Sequence, residues 1–579
     1  MKDVIAVAQS AFKSEGVDVY APKLPYANRL RSVRAEKIIV DLLDAIDPIV
    51  ALHGAYERIV LVGFSLGGIF ARRLFLIAAG NPPGFQLEKP FESAHPRAWA
   101  PQVERLVTIS AFNRGWQVTG RTDWYSSFIL NLLGLIGHLS PHDWRPTLFD
   151  ARLGSPFTVQ TRLHWMAYRR WHADIRSSKI VDKDLGLPVS RTRDPIVVQL
   201  VGRQDSFTSP LDLVDIAVDG HDPSSPHPRY FYIEMPDTNH ERAIVLTGAT
   251  ARKEMLAEAL AQPPQALAVI ASDPSLLADD IPQSDPSVTD VIFIMHGIRD
   301  DGFWTHHIAK VVREQAAKAP VIRARTPSYG YFAMLPFVLP WIRRQKVEWF
   351  MDQYVAAATQ FPNADFSYVG HSNGTYLAAR ALKDYADAHF KHVFFAGSVV
   401  RRDYDWLDLL SAARVKKIHN VPAAADWVVA LLPKSVEGWK KIDLGGAGFD
   451  GFDQAGKHPD LTQPTLFANG KHSAAIAESQ WEHIARFIVH GTVPPELPST
   501  AFVKSRAQWL VPLARSHLGL PLLVLVFGIV FPALLAIPLF IYAAGPALPL
   551  DNQSGWEAIA SSFVVMGYFL LLKLVVTRV

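Results

Sequence analysis

At 579 residues the chain exceeds one ordinary domain, and two or three are expected. A formal net charge of +3 leaves no electrostatic footprint for nucleic acid, so no nucleic-acid partner is expected. The absence of cysteine excludes disulfides, thiolate catalysis and cysteine-ligated zinc, and fits a reducing compartment.

The first residues, Met1 to Ser10, carry one lysine and a broken apolar run, which does not read as a signal peptide. Periodicity predicts a helix over 4–14, a strand over 16–22 and a helix over 34–52. A strand over 58–62 then runs into Gly63-Phe64-Ser65-Leu66-Gly67 and a further helix. Strand, Gly-x-Ser-x-Gly and helix form a nucleophile elbow, whose flanking residues must be small to avoid neighbouring backbone. Alternating helices and strands imply a parallel sheet with crossover helices. The next strand is expected over 105–110.

From 111 to 194 aromatics and arginines crowd together (Trp116, Trp124, Tyr125, Trp144, Trp165, Tyr168, Trp171), with an apolar run over 128–139. This reads either as a lid inserted over a site or as extra helices packed on the domain. Strands over 195–201 and 230–234 follow, with Asp205 just past the first and His240 past the second, where it opens a helix. Ser65, Asp205 and His240 thus fall in the order Ser, Asp, His. A histidine is needed to take the serine proton, and a carboxylate to set its tautomer and stabilise the imidazolium. The Leu66 N–H is a candidate oxyanion donor. An early strand ending in a His-Gly loop, the usual source of the other donor, is not found ahead of Ser65. The first half is therefore expected to be truncated or subordinate.

A Pro-, Asp- and Ser-rich stretch over 261–287 reads as the linker. Beyond it a strand from 290 enters His296-Gly297-Ile298, followed by a helix over 305–318 and a strand over 321–327. Residues 329–342 are strongly apolar, and two prolines argue against a continuous helix. This stretch lines an acyl pocket, touches a membrane surface or is buried against the domain. A helix over 345–360 precedes the second elbow, Gly370-His371-Ser372-Asn373-Gly374. Strands over 393–398 and 415–420 follow, then Asp426, and His472 ahead of a helix over 474–489. The second candidate triad is Ser372, Asp426 and His472, with the N–H groups of Ile298 and Asn373 for an oxyanion; Asp405, Asp443 and His458 are alternatives. His306-His307 reads as a solvated helix start, and no metal or cofactor is expected.

Residues 518–544 contain no charge, and 558–572 form a second uncharged run extended by 574–577. Both are expected to be transmembrane helices, the second if Lys573 snorkels. Lys504, Arg506 and Arg515 precede the first, Lys573 and Arg578 end the second, and the connector over 545–557 has no lysine or arginine. The positive-inside rule then places the body of the chain in the cytoplasm.

On Gly63-Phe64-Ser65-Leu66-Gly67, Asp205 and His240, and on His296-Gly297, Gly370-His371-Ser372-Asn373-Gly374, Asp426 and His472, the sequence resembles the α/β-hydrolase superfamily in both halves. The resemblance implies an α/β fold with two doubly wound, mostly parallel sheets, followed here by the two-helix transmembrane hairpin. It also implies hydrolysis through an acyl-enzyme. Expected domains are 1–260 with the insertion at 111–194, the linker 261–287, 288–500, and the spans 518–544 and 558–577. The functional expectation is a membrane-anchored serine hydrolase whose substrate is a carboxylic, lipid-like ester and whose other partner is the bilayer. A non-catalytic membrane scaffold using hydrolase folds is the alternative. Nothing in the sequence specifies an oligomeric state.

Overall fold

The computed structural model describes the chain apart from residues 1, 14–15, 25–32, 54–55, 117–146, 179–193, 209, 214–215, 217–228, 274–275, 277–281, 299–301, 318–319, 330–336, 338–339, 439–441, 494–500 and 517–579. It divides into two compact units. The first is Met1–Ser287 with Gln345–Ala364 and Lys383–Ala388, and the second is Val288–Arg344 with Asp365–Leu382 and His389–Val579.

The first unit is built on a parallel sheet in the order β1 (Ile59–Phe64), β2 (Val103–Ile109), β3 (Ile196–Gly202), β4 (Tyr230–Met235). β3 is a near-continuous apolar run buried at every residue, as a strand covered on both faces must be. Alternate side chains divide between two clusters, because successive residues of a strand point to opposite faces. Leu106 and Val197 join the helices Ala35–His53, Leu66–Ala79 and Pro156–Ser178 on one face. Val107, Ile109, Ile196, Val198 and Leu200 join Lys2–Ala11, Thr250–Ala261 and Pro264–Ile270 on the other. The strand that carries Ser65 lies at the end of the sheet, with β2 as its neighbour. Val62 in that strand is 40% exposed.

Three expectations are corrected in this unit. Residues 16–24 belong to no sheet; Val17, Val19 and Tyr20 are exposed, so water can serve the backbone groups that a ladder would have paired. The expected linker contains the helix Pro264–Ile270, begun by a proline at a position where a helix has no use for an N–H. The helix expected to open at His240 is a 3₁₀ turn, Arg242–Ile244, and the α-helix starts only at Thr250. Of the crowded aromatics, Trp165 and Tyr168 are fully buried and meet Phe75 edge to face. Trp124, Tyr125, Trp144 and the run over 128–139 lie outside the described residues.

The helix Pro340–Gln360 contributes its segment 345–360 to the first unit. There the Asp352 carboxylate is buried and accepts from Arg114 Nε and Arg162 Nη1, each at 2.8 Å. Burial alone raises the carboxyl pKa, but the two guanidiniums outweigh it and hold the group below its ordinary range. Arg152 pairs with Glu348 at 2.6 Å one turn earlier.

The second unit holds a six-stranded parallel sheet in the order β10 (Leu461–Thr462), β9 (Val415–Val421), β8 (Phe390–Ala396), β7 (Asp365–His371), β5 (Asp290–Met295), β6 (Ile322–Arg325). Here the strand that carries the serine, β7, is central and buried from Phe366 onward. The helices Phe303–Ala316 and Trp481–His490 cover one face. The helix expected over 474–489 is corrected: 474–480 wind as two 3₁₀ turns around an extended Ala477, and the α-helix begins at Trp481. In the apolar stretch 329–342, Tyr329 and Phe337 are buried, Pro340 starts a helix, and 330–336 and 338–339 lie outside the described residues. No helix among the described residues is long and apolar enough to cross a membrane; 518–544 and 558–577 lie outside them.

Beneath the second elbow, Asp443 binds Arg343 at 2.6 Å, Arg380 at 3.2 Å and the Tyr376 hydroxyl at 2.7 Å. Burial would raise its pKa, but Arg343 and Arg380 pull it to about 2, against 3.8 when free. The depressed carboxyl stabilises the fold fully above about pH 4, and this contribution of about 2 kcal/mol disappears as pH falls through about 2. Asp443→Asn is expected to cost roughly 3 kcal/mol near neutrality, because it strands two guanidiniums. Thermal melts of both proteins should converge as the pH falls from about 4 toward about 2.

Candidate active sites

In the first unit Ser65 stands where β1 meets the helix Leu66–Ala79, at φ 54 and ψ −121. A non-glycine residue in that region is strained, and such strain persists only where surrounding structure imposes it. Ser65 N–H donates to Ile109 O on β2 at 3.0 Å, which holds the turn. Gly63 is required, since a Cβ there would lie 2.3 Å from Gly67 O. Gly68 is required too, with Ala111 Cβ at 2.3 Å, whereas a Cβ on Gly67 would meet nothing within 4 Å. The expectation that both residues flanking the elbow must be small therefore fails at Gly67, because that position faces open space.

His240 joins the other two residues singled out. Its Nε2 lies 3.0 Å from Ser65 Oγ and its Nδ1 3.0 Å from Asp205 Oδ2. An ionised carboxylate only accepts, so Nδ1 carries the hydrogen and Nε2 is left to accept from the serine hydroxyl. The Asp205 side chain has no solvent exposure. Burial raises its pKa, but hydrogen bonds from His240 and from Phe207 N–H at 2.9 Å outweigh this and hold it below the ordinary range. Sequence reasoning missed the aromatic surround of the imidazole. Phe112 stacks on it at 5.1 Å, and Phe64 and Phe207 lie at 5.4 and 5.3 Å. Phe64 and Phe207 lie next to or near singled-out residues in sequence, the one signal that could have found them. Leu66 heads its helix, where the first N–H groups have no intrahelical acceptor. No second strand lies beside β1 among the described residues, so no His-Gly loop faces Ser65.

The second unit arranges the same parts differently. Ser372 has φ 53, donates its N–H to Ala396 O on β8 at 3.1 Å, and is 4% exposed. Both elbow glycines are sterically required. A Cβ on Gly370 would lie 2.8 Å from the Tyr368 ring, and one on Gly374 would lie 2.5 Å from Met295 O at the end of β5. Gly297 lies against Ser372, since a Cβ there would fall 2.7 Å from Ser372 Cβ. The His-Gly loop is tied to the elbow: Asn373 Nδ2 donates to Tyr329 Oη at 3.1 Å, and that hydroxyl donates to His296 O at 2.8 Å. The Tyr329 ring stacks on His296 at 4.6 Å, and His296 Nε2 meets Ser328 Oγ at 3.0 Å. Ile298 is half-buried in the turn after Gly297, and Asn373 starts its helix.

His472 Nδ1 lies 3.0 and 2.9 Å from the two carboxylate oxygens of Asp426, whose side chain is fully buried and also caps Val429 N–H at 3.0 Å. No hydrogen bond joins His472 to Ser372 among the described residues. Instead the His371 ring packs on His472 at 4.7 Å. Burial, with His472 and His296 close by, keeps His371 well below its ordinary pKa and hence neutral. Gly397, at φ 53, makes room for the His472 imidazole; a Cβ there would lie 2.8 Å from its Cε1. The alternatives are otherwise engaged: Asp405 caps Asp408 N–H, Asp443 is the ion-pair centre described above, and His458 accepts from Asp460 N–H. The two units thus split the equipment. Ser65 is hydrogen-bonded to its histidine, and Ser372 has its His-Gly loop.

No protein-family model matches the chain, and no curated protein matches it. One solved structure similar to part of it is LpqC, a poly(3-hydroxybutyrate) depolymerase from Bordetella parapertussis. It shares 15% identity with a TM-score of 0.25, covering 40% of this chain and 84% of that one, which is too slight to bear on fold or chemistry here.

The glycine geometry predicts opposite outcomes at equivalent positions. Gly67→Ala should be neutral or stabilising by up to about 1 kcal/mol, the helix-propensity gain. Gly374→Ala should destabilise by roughly 1–3 kcal/mol through overpacking against β5. Paired thermal melts of the two variants check this.

Proposed function

We propose that the chain is a serine hydrolase that cleaves carboxylic esters through an acyl-enzyme. The observation that carries this reading is His240 bridging Ser65 Oγ and Asp205 at 3.0 Å on either side, from a serine held in the strained elbow turn. In the proposed reaction His240 Nε2 takes the Ser65 proton as Oγ attacks the ester carbonyl carbon. The imidazolium, steadied by Asp205, returns that proton to the departing alcohol as the acyl C–O bond breaks. Water, deprotonated by the same nitrogen, then releases the acid and restores Ser65. Leu66 N–H would take the oxyanion.

At the second site Ser372, His472 and Asp426 would hold the same roles, with Ile298 and Asn373 N–H toward the oxyanion. There the Ser–His hydrogen bond has to form when substrate binds, as catalytic hydrogen bonds in empty sites often do. We further propose that the uncharged run 518–544 and the apolar run 558–577, interrupted by Lys573, anchor the chain in a bilayer, with the hydrolase units cytoplasmic and a lipid-like ester as substrate. Among the described residues, the unlinked Ser372–His472 pair and the single strand neighbour of β1 favour one other reading, a membrane-bound binding protein that has kept the fold without turnover.

A fluorophosphonate probe applied to the folded full chain separates the two readings. Adducts are expected on both Ser65 and Ser372, each lost in its own Ser→Ala variant and kept in the other. Asp205→Asn should slow Ser65 labelling by about 10⁴-fold. Absence of any adduct on either serine would favour the binding protein. Release of the full chain by alkaline carbonate without detergent would count against the anchor.

A further inference from the structure

Within the second unit, away from Ser372, lies a cavity of about 460 Å³. Its wall carries four cations, Arg402, Lys434, Arg506 and Arg515, and two carboxylates, Asp450 and Glu437. Asp450 alone serves three of the cations: it accepts from Lys434, from Arg506 at 3.1 Å and from Arg402 at 3.5 Å. Arg402 also holds Asp453 at 2.6 Å. One of the Glu437 carboxylate oxygens already accepts Arg402 N–H at 2.7 Å. Arg515 is exposed and makes no ion pair among the described residues. Positive charge in this wall therefore exceeds what its carboxylates neutralise.

The cations are also held in place. Lys434 and Arg506 sit over the buried Phe449 ring at 5.3 and 5.1 Å, which fixes both heads without consuming their charge. The lining also includes Val511 and Ala514, apolar residues of the helix Leu510–Arg515 that carries Arg515. Guanidinium forks suit the oxygens of a phosphate group, and a cavity of this size takes a small organic molecule.

We propose that this cavity binds a phosphate-bearing organic anion, with the phosphate against Arg515, Arg506 and Lys434 and the carbon portion against Val511 and Ala514. Such a group has two sources, a soluble phosphate ester or the headgroup of an anionic phospholipid. The uncharged run that starts at 518, just after Arg515 in sequence, makes the lipid source worth its own arm.

The test is calorimetric titration of the full chain in non-ionic detergent with inorganic phosphate, glycerol 3-phosphate and dihexanoyl phosphatidic acid. Saturable binding of at least one ester is expected, tighter than inorganic phosphate. Arg515→Gln should weaken it about tenfold, while Lys504→Gln, which removes an exposed charge outside the cavity, should leave it unchanged. Tighter binding of the phosphatidic acid assigns the headgroup, and tighter binding of glycerol 3-phosphate assigns a soluble ester. The proposal is overturned if no phosphate compound binds, if both variants weaken binding equally, or if inorganic phosphate binds as tightly as the esters, an adventitious ion only.

Discussion

Each half of this protein depends on a serine held at a backbone angle that the residue does not choose for itself. Ser65 and Ser372 have φ of 54 and 53, a conformation that costs of order 1–3 kcal/mol. Each is held by an N–H bond to the neighbouring strand and by a glycine at the strand end that lets the helix start approach. The strain lifts Oγ out of the sheet and onto the helix N-terminus, where nearby N–H groups lack intrahelical partners. The rest of each unit serves to keep that turn from relaxing.

What differs between the halves is the neighbour on the far side of the strand that carries the serine. In the second unit β5 lies beside β7, so Gly374 packs tightly on Met295 O and the chain leaving β5 brings Gly297 against Ser372. In the first unit β1 ends the sheet, Gly67 meets open space, and no loop comes to Ser65 from that side among the described residues. The histidines divide the other way. His240, packed among three phenylalanines, is held in line with both Ser65 and Asp205, whereas the His472 ring packs on His371 and, among the described residues, hydrogen-bonds Asp426 but not Ser372.

Buried carboxylates shared by several cations recur through the molecule. Asp352 serves Arg114 and Arg162, Asp443 serves Arg343 and Arg380, and Asp450 serves three cations at the cavity. Each is a point at which removing one partner leaves a charge uncompensated, so these clusters specify an arrangement more than they add stability. Of these clusters the one at Asp450 borders the cavity described above, where Arg515 makes no ion pair among the described residues.

The sequence alone determined the parts that depend on neighbours in the chain. Apolar runs bounded by glycine placed most strands, Gly-x-Ser-x-Gly after a strand located both elbows, and Asp205, His240, Asp426 and His472 were readable because each follows a strand tip. Where local signals misled, they did so for want of a partner or a break: 16–22 had strand chemistry but no ladder, and the extended Ala477 interrupted a helical pattern. Tertiary structure decided everything that rests on distant residues meeting. It brought Ser65, His240 and Asp205 into one hydrogen-bonded line but left Ser372 unlinked to His472. It also assigned the segment 345–364 to the first unit through Asp352, and gathered residues from 402 to 515 around one cavity. Strand and turn preferences act over a few residues, while side-chain contacts across a sheet are settled only when the whole core packs.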